Sequence, residues 1–290
     1  MQSLRVLRRK IRAVRNIRQI TQAMKMVAAA RLKRVQNRVL LGAPYASGLC
    51  KIVEAIIPYI SQAEHPLLKA NESSTIGLVV VTGDKGLCGA YNANVIKEAL
   101  ELSDEFRRAG MVVSLHCVGH KGATYFAKRD GNLRAATPQI SVKQPYEDAK
   151  RISRDLLDWY LSGEVRELHF VYTGLISTAT FKVMRRKLLP IEAGGKVDQG
   201  AVEYIFEPPV DKLLDALLPR YFEVQVYQTL LEALACEQLA RVQAMTAASD
   251  NATEMLDRLT LELNKVRQWS ITKELIEITT AAEALRRYQR

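Results

Sequence analysis

Acidic residues are missing from the first 53 positions of this 290-residue chain, where Glu54 is the first. The same stretch holds thirteen basic residues: Arg5, Arg8, Arg9, Lys10, Arg12, Arg15, Arg18, Lys25, Arg31, Lys33, Arg34, Arg38 and Lys51. The chain as a whole has 42 basic and 31 acidic groups, so everything after residue 53 is close to neutral and the formal excess of +11 belongs to one segment. That excludes an evenly solvated basic protein and implies a concentrated anionic partner.

Cysteine is scarce, with Cys50, Cys88, Cys117 and Cys236 far apart. No paired spacing occurs, which argues against a disulfide framework or a zinc site and for reduced thiols. His116, Cys117 and His120 come close together, but along a strand the neighbours His116 and Cys117 point to opposite faces, so a metal site is not expected there. No unbroken run of about 18 apolar residues is present, and a membrane-spanning segment is not expected. The basic N-terminus has no apolar segment of 7–15 residues behind it, unlike a secretory signal.

Glycine and proline are absent from residues 1–41, and after Gly200 and Pro219 neither returns. Both ends therefore read as long helices. Leu4, Leu7, Ile11 and Val14, then Ile17, Ile20, Met24 and Val27, recur at steps of three and four; the shift between Val14 and Ile17 reads as a stammer. Gly42 and Pro44 stand where a kink is expected. Near the other end Val224, Tyr227, Leu231 and Leu234 open a stripe that continues through Leu256, Leu259, Leu263 and Val266 to Ile271, Leu275, Ile278, Ala282 and Leu285. Seventy-one residues of continuous helix would extend roughly 105 Å, more than the ~50 Å diameter of a compact chain this long. Such a helix needs a partner for its apolar stripe, and the N-terminal helix is available as an antiparallel one.

Between them, "TIGLVVVTG" (75–83), "MVVSLHCVG" (111–119) and "VRELHFVYT" (165–173) read as strands, with helices near 91–109 and 146–162. The alternation predicts a Rossmann-like α/β domain with a mostly parallel sheet. The expected divisions are a shaft helix over 1–60, the α/β domain over 74–195 and a second shaft helix over 208–288. "TGDKGLCGAYN" follows the first strand, where phosphate-binding glycines would sit. Its spacing is GxxGxxG, Lys85 lacks a following Ser or Thr, and "LHCVG" ends the second strand without an acid for a ribose. A tight turn is the better reading, and no catalytic constellation appears elsewhere.

Three blocks carry a family resemblance: "ITQAMKMVAAARLKR" (20–34), "GDKGLCGAYN" (83–92) and "ARVQAMTAASDNATEMLDRLTLELNKVRQWSITKELIEI" (240–278). With the organisation between them, the chain resembles the γ subunit of a rotary F-type ATP synthase. The resemblance implies an antiparallel coiled-coil shaft inside a ring of alternating α and β subunits, with the α/β domain and lower shaft on a membrane-embedded c-ring and ε as a further partner. The chain would be a non-catalytic rotor without cofactor, metal or nucleic acid, and not inserted in the membrane itself. Met, Ala and Val would make a smooth bearing surface, and the basic residues would face acidic β loops. Carried over residue by residue, the contacts are Met24, Lys25, Lys33 and Arg34 on the first helix, Asp84 and Lys85 with Gly86 in the loop, and Arg241, Arg267, Gln268 and Thr272 on the last.

Departures are specific. Thr280 and Ala281 stand where the family often has Gly-Gly, "GAYN" replaces "GGLN", and Trp269 is bulky where a small residue is usual. "LPIEAGGKVDQGAVEYIFEP" has no cysteine, unlike the thiol-regulated insertion of chloroplast members. Because the pattern starts almost at Met1, a bacterial chain on the cytoplasmic face of the plasma membrane is expected. The rival reading, a basic coiled coil on nucleic acid, has charge enough but no aromatic platform in residues 1–44.

Overall fold

The computed structural model describes residues 3–56, 65–129, 132–177, 180–192, 207 and 210–288. The expected end of the first shaft helix at residue 60, the expected boundaries at 195 and 208, and most of the cysteine-free segment fall outside them. Contacts divide the chain into two units, residues 28–241 and the pair of segments 1–27 and 242–290.

The larger unit contains a five-stranded sheet. In chain order its elements are β1 (Thr75–Val81), α2 (Tyr91–Arg108), β2 (Val112–Val118), α3 (His120–Ala127), β3 (Leu133–Thr137), α4 (Pro145–Leu161), β4 (Glu167–Leu175) and β5 (Phe181–Leu189), with parts of α1 (Leu4–Ile56) and α5 (Val210–Tyr288). The strand order is β3-β2-β1-β4-β5. β1 pairs in parallel with β2 and β4, β2 in parallel with β3, and only β5 is antiparallel. The expected mostly parallel sheet is present. β3, α3 and β5 were not anticipated: "LRAAT" is short and alanine-rich, and "FKVMRRKLL" interleaves charges that suit an edge strand.

Burial on both faces accounts for the apolar runs. Leu78 and Val80 pack with Val95, Ala99 and Phe126 from α2 and α3, whereas Val79, Val81 and Phe170 face a core shared with α4, α1 and α5. That core explains why α1 does not break at Gly42 or Pro44. Ala46, Leu49, Val53 and Ile56 are drawn into it, and this packing outweighs the hydrogen bond that Pro44 removes. One 18-residue window of α1 is apolar enough on average to cross a bilayer and only 17% of it is buried, but the longest charge-free stretch there is 39–50, shorter than a span needs. Within this unit α1 and α5 run antiparallel, because Gly42 lies against Gln228 while Cys50 meets Gln225 and Tyr221.

The smaller unit corrects the periodicity expected for α1. Buried or half-buried positions follow Leu4, Leu7, Ile11, Val14, Arg18, Thr21 and Lys25, and the same three-four alternation continues through Ala28 to Ile56. No stammer interrupts this seam, which is an unbroken seven-residue repeat. Polar Arg18 and Thr21 hold seam positions, so Ile17, Ile20 and Val27 are left 51%, 59% and 54% exposed. Hydrophobicity alone follows the wrong stripe because this helix has two. On α5 the seam runs through Met245, Ser249, Ala252, Leu256, Leu259, Leu263, Val266 and Ser270. The expected stripe holds up to Val266; Ile271, Leu275, Ile278 and Leu285 beyond it are exposed.

Candidate partner-contact surface

The sequence-predicted contacts on α1 separate by environment. Lys25 holds a half-buried seam position and Met24 is half-buried beside it, while Lys33 and Arg34 are exposed. Most of the basic residues from Arg5 to Arg34 are exposed too, with Arg18 half-buried. Thr21 Oγ1 bonds to the Arg18 carbonyl at 2.9 Å, so the hydroxyl is satisfied within its own helix. The uncovered apolar stripe of Ile17, Ile20 and Val27 runs alongside this basic surface.

The glycine loop after β1 is a braced turn. Asp84 Oδ1 accepts the backbone N–H groups of His120 (2.9 Å) and Gln139 (3.2 Å), tying the loop to the ends of β2 and β3. Asn92 Oδ1 accepts from Gly83 N at 2.8 Å, and Asn92 Nδ2 donates to Cys88 Sγ at 3.3 Å. From α5, Arg241 forms an ion pair with Glu237 and donates to the Gly86 carbonyl at 3.4 Å. Arg241 and Glu237 are 8% and 3% exposed, so Arg241 anchors the loop internally rather than facing outward. Lys85 is exposed.

The carboxyl ends of β1 and β4 adjoin where the crossovers diverge, which is where an open α/β sheet binds nucleotides. Here α5 occupies that crevice. Glu232 accepts Leu175 N at 2.9 Å, Tyr91 Oη donates to the Ala233 carbonyl at 3.0 Å, and a Cβ on Gly83 would stand 3.0 Å from Glu237 Oε1. Two carboxylates where a pyrophosphate would lie oppose nucleotide binding by charge and by volume. Burial pushes the Tyr91 phenol well above its ordinary range, with Glu237 adding to the effect. The loop thus meets the expectation of a tight strand-to-helix turn.

The other tempting clusters resolve similarly. All four cysteines are free, and burial raises Cys117 and Cys236 to about 12. His116 is fully buried with Nδ1 3.4 Å from Asp155, while burial lowers its imidazole to about 4 despite that carboxylate. Among the described residues no group of His, Cys, Asp and Glu could hold a metal.

Comparison with known proteins decides the family. The family model described as ATP synthase matches residues 3–285. ATP synthase gamma chains of Desulforamulus reducens and Solibacter usitatus are 40% and 41% identical, each alignment covering 98% of this chain and 100% and 99% of theirs. The chain belongs to the ATP synthase gamma chain family. Its fold is also that of a chain in the mitochondrial ATP synthase of Euglena gracilis, described as OSCP/F1/c-ring, with a TM-score of 0.67 at 17% identity covering 99% of this chain and 96% of that one. A central stalk/c-ring structure of the Tetrahymena thermophila mitochondrial enzyme matches at a TM-score of 0.59 and 22% identity, over 79% and 99%. None of these supports the nucleic-acid reading.

In this gamma-chain family member the remaining predicted contacts lie on α5, where Arg267, Gln268 and Thr272 are all exposed. Thr272 Oγ1 bonds to the Gln268 carbonyl at 3.0 Å, within its own helix. Trp269 is 50% exposed, with Lys273 Nζ 5.6 Å from its ring centre. The structure brings Asp84, Lys85 and Arg241 to one loop in the larger unit. Sequence reasoning missed Glu237, an acid in a helical stripe with no local signature, and Leu87, whose exposed left-handed conformation only coordinates reveal.

Proposed function

We propose that this chain is the central rotor shaft of a rotary ATP synthase, linking ion flow through a membrane ring to the catalytic β subunits without performing catalysis itself. Its partners are α and β in the catalytic ring, ε, and the c-ring. Its place is peripheral, on the cytoplasmic face of a bacterial plasma membrane. The observation that supports this best is the double character of α1: one stripe closes the seam, and a second, of Ile17, Ile20 and Val27 within a basic segment that contains no acid, stays open. A shaft needs both, one to hold itself together and one to bear against a sleeve. Lys25, Lys33 and Arg34 are the cationic contacts toward acidic β loops; Met24 adds an apolar one. In the loop Lys85 meets β, Asp84 and Arg241 shape the surface from behind, and Arg267, Gln268 and Thr272 form a catch on α5.

The test is a reconstituted complex carrying Arg267→Ala with Gln268→Ala. Both residues are exposed, so helix content and assembly should be unchanged. Arg can offer a two-pronged fork to a carboxylate and Gln can donate and accept together, so their loss should slow a step of the cycle. ATP-driven pumping and steady-state ATPase should both fall. Normal turnover and pumping would remove the catch from the mechanism, and a dissociated complex would make these residues assembly anchors instead.

A further inference from the structure

Each long helix contains one proline, Pro44 in α1 and Pro219 in α5, and α4 opens on a third, Pro145. Inside a helix proline removes a backbone donor and crowds the carbonyl four residues back, so the helix bends there more readily than elsewhere. At the start of α4 it fixes the backbone instead. The residues that directly follow these prolines are Tyr45, Arg220 and Tyr146, and their side chains meet. Arg220 Nε donates to Tyr45 Oη at 3.2 Å, while its Nη1 donates to Tyr146 Oη at 2.6 Å and to Glu223 Oε1 at 3.2 Å. Tyr146 Oη donates its own hydrogen to Glu223 Oε1, and the guanidinium carbon lies 5.7 Å from the centre of the Tyr146 ring. One guanidinium thus ties α1, α4 and α5 together at the proline-weakened turn of both long helices.

Stability does not account for this arrangement. Tyr45 is 54% exposed and the Arg220 side chain 43%, where a polar contact contributes about 1 kcal/mol at most. The apolar core shared by Leu49 and Val53 of α1 with Leu218 and Phe222 of α5 already holds the helices together. Burial of apolar surface is non-directional, and it resists separation more than sliding or twisting. Hydrogen bonds between fixed donors and acceptors supply the direction. We propose that Tyr45, Tyr146, Arg220 and Glu223 form a shear lock, a set of positioning residues that holds α1 and α5 in register with the α/β domain across their proline turns, so that rotation of the domain passes to both helices without slip. The mechanical role rests on the reading of the chain as a rotor shaft; the lock itself does not.

The experiment uses Tyr45→Phe with Tyr146→Phe, which removes two phenol oxygens and keeps both rings, in two settings. In the full chain alone, spin labels carried by unnatural amino acids at the exposed positions Leu41 of α1 and Lys212 of α5 report the spread of distances between the helices. The double variant should broaden that spread, while its melting temperature falls by no more than about 4 °C. Adding Pro44→Ala and Pro219→Ala should narrow it again, because continuous backbone hydrogen bonds then stiffen the same turns. A group that only held the fold together would not be rescued in this way. In the reconstituted complex the double variant should lower ATP-driven pumping per ATP hydrolysed several-fold, whereas Tyr125→Phe, whose phenol bonds Arg129 just past the end of α3, should change nothing. An unchanged spread, or one that the alanines do not narrow, overturns the lock. A broadened spread with full coupling overturns its mechanical role, and a larger fall in melting temperature would make the four residues a structural brace. Failure of the wild-type chain to assemble with α and β would instead sink the rotor reading, and the spread would still decide the lock.

Discussion

Arg241→Ala tests how the loop is held. The guanidinium and the Glu237 carboxylate pair four residues apart on α5 with side chains only 9% and 3% exposed. Glu237 Oε2 has no hydrogen-bond partner among the described residues, so Arg241 provides the main compensation for that buried charge. Removing one partner of a buried pair costs about 3–5 kcal/mol, most of it the stranded charge. The Gly86 carbonyl also loses a contact, although at 3.4 Å that adds little. We expect a loss of about 3–4 kcal/mol, read as a lower urea midpoint of Trp159 fluorescence in a Trp269→Phe background. Arg258 and Glu254 provide the comparison, an ion pair of the same spacing on the same helix but 77% and 62% exposed. Arg258→Ala should shift the midpoint within experimental scatter. Replacing both members of the buried pair by apolar residues, Glu237→Leu with Arg241→Met, should recover most of the loss. An Arg241→Ala cost below about 1 kcal/mol, or a double variant no better than the single one, would refute the reasoning.

Three further outcomes are expected. His116 is lowered to about 4 by burial, so the unfolded chain takes up a proton near its ordinary 6.5 and the folded chain does not. Its contribution is complete above pH 6.5 and declines as pH falls toward 4, by about 3 kcal/mol, and a His116→Gln variant should show a correspondingly flatter urea midpoint against pH. Arg18→Leu should raise the thermal midpoint by circular dichroism, by roughly 1 kcal/mol of stability, because the Arg18 Nε is buried in the seam without a hydrogen bond; an unchanged or lower midpoint would count against that. Gly119 has φ +103° and a Cβ there would stand 2.1 Å from the Thr82 carbonyl oxygen, so Gly119→Ala should cost at least about 3 kcal/mol in the same denaturation assay.

Legibility in the sequence followed the range of the forces involved. Long helices announce themselves by uninterrupted periodicity, and strands buried on both faces by unbroken apolar runs, so α1, α5, β1, β2 and β4 could be read directly. The edge strands could not, since their pairing depends on a neighbour and their composition on solvent. The seam of α1 failed for another reason. Periodicity arguments assume that apolar residues face the partner helix, whereas Arg18 and Thr21 face inward and Ile17 and Ile20 face out. In the candidate site the exposed Lys33, Arg34, Arg267 and Gln268 were legible from composition and block resemblance. The inward turn of Arg241 and the internal bonds of Asp84 were not, because both depend on contacts more than thirty residues distant in sequence.

The filling of the switch-point crevice by α5 bears on regulation. A Rossmann-like domain with an open crevice would sample the surrounding adenine nucleotides, and its stiffness would then vary with their concentration. Glu232 and Glu237 are covalently part of the helix that lies there, so no dissolved nucleotide competes with them at any concentration. The crevice is thereby filled by the chain's own helix, and that filling does not depend on the concentration of ATP or ADP.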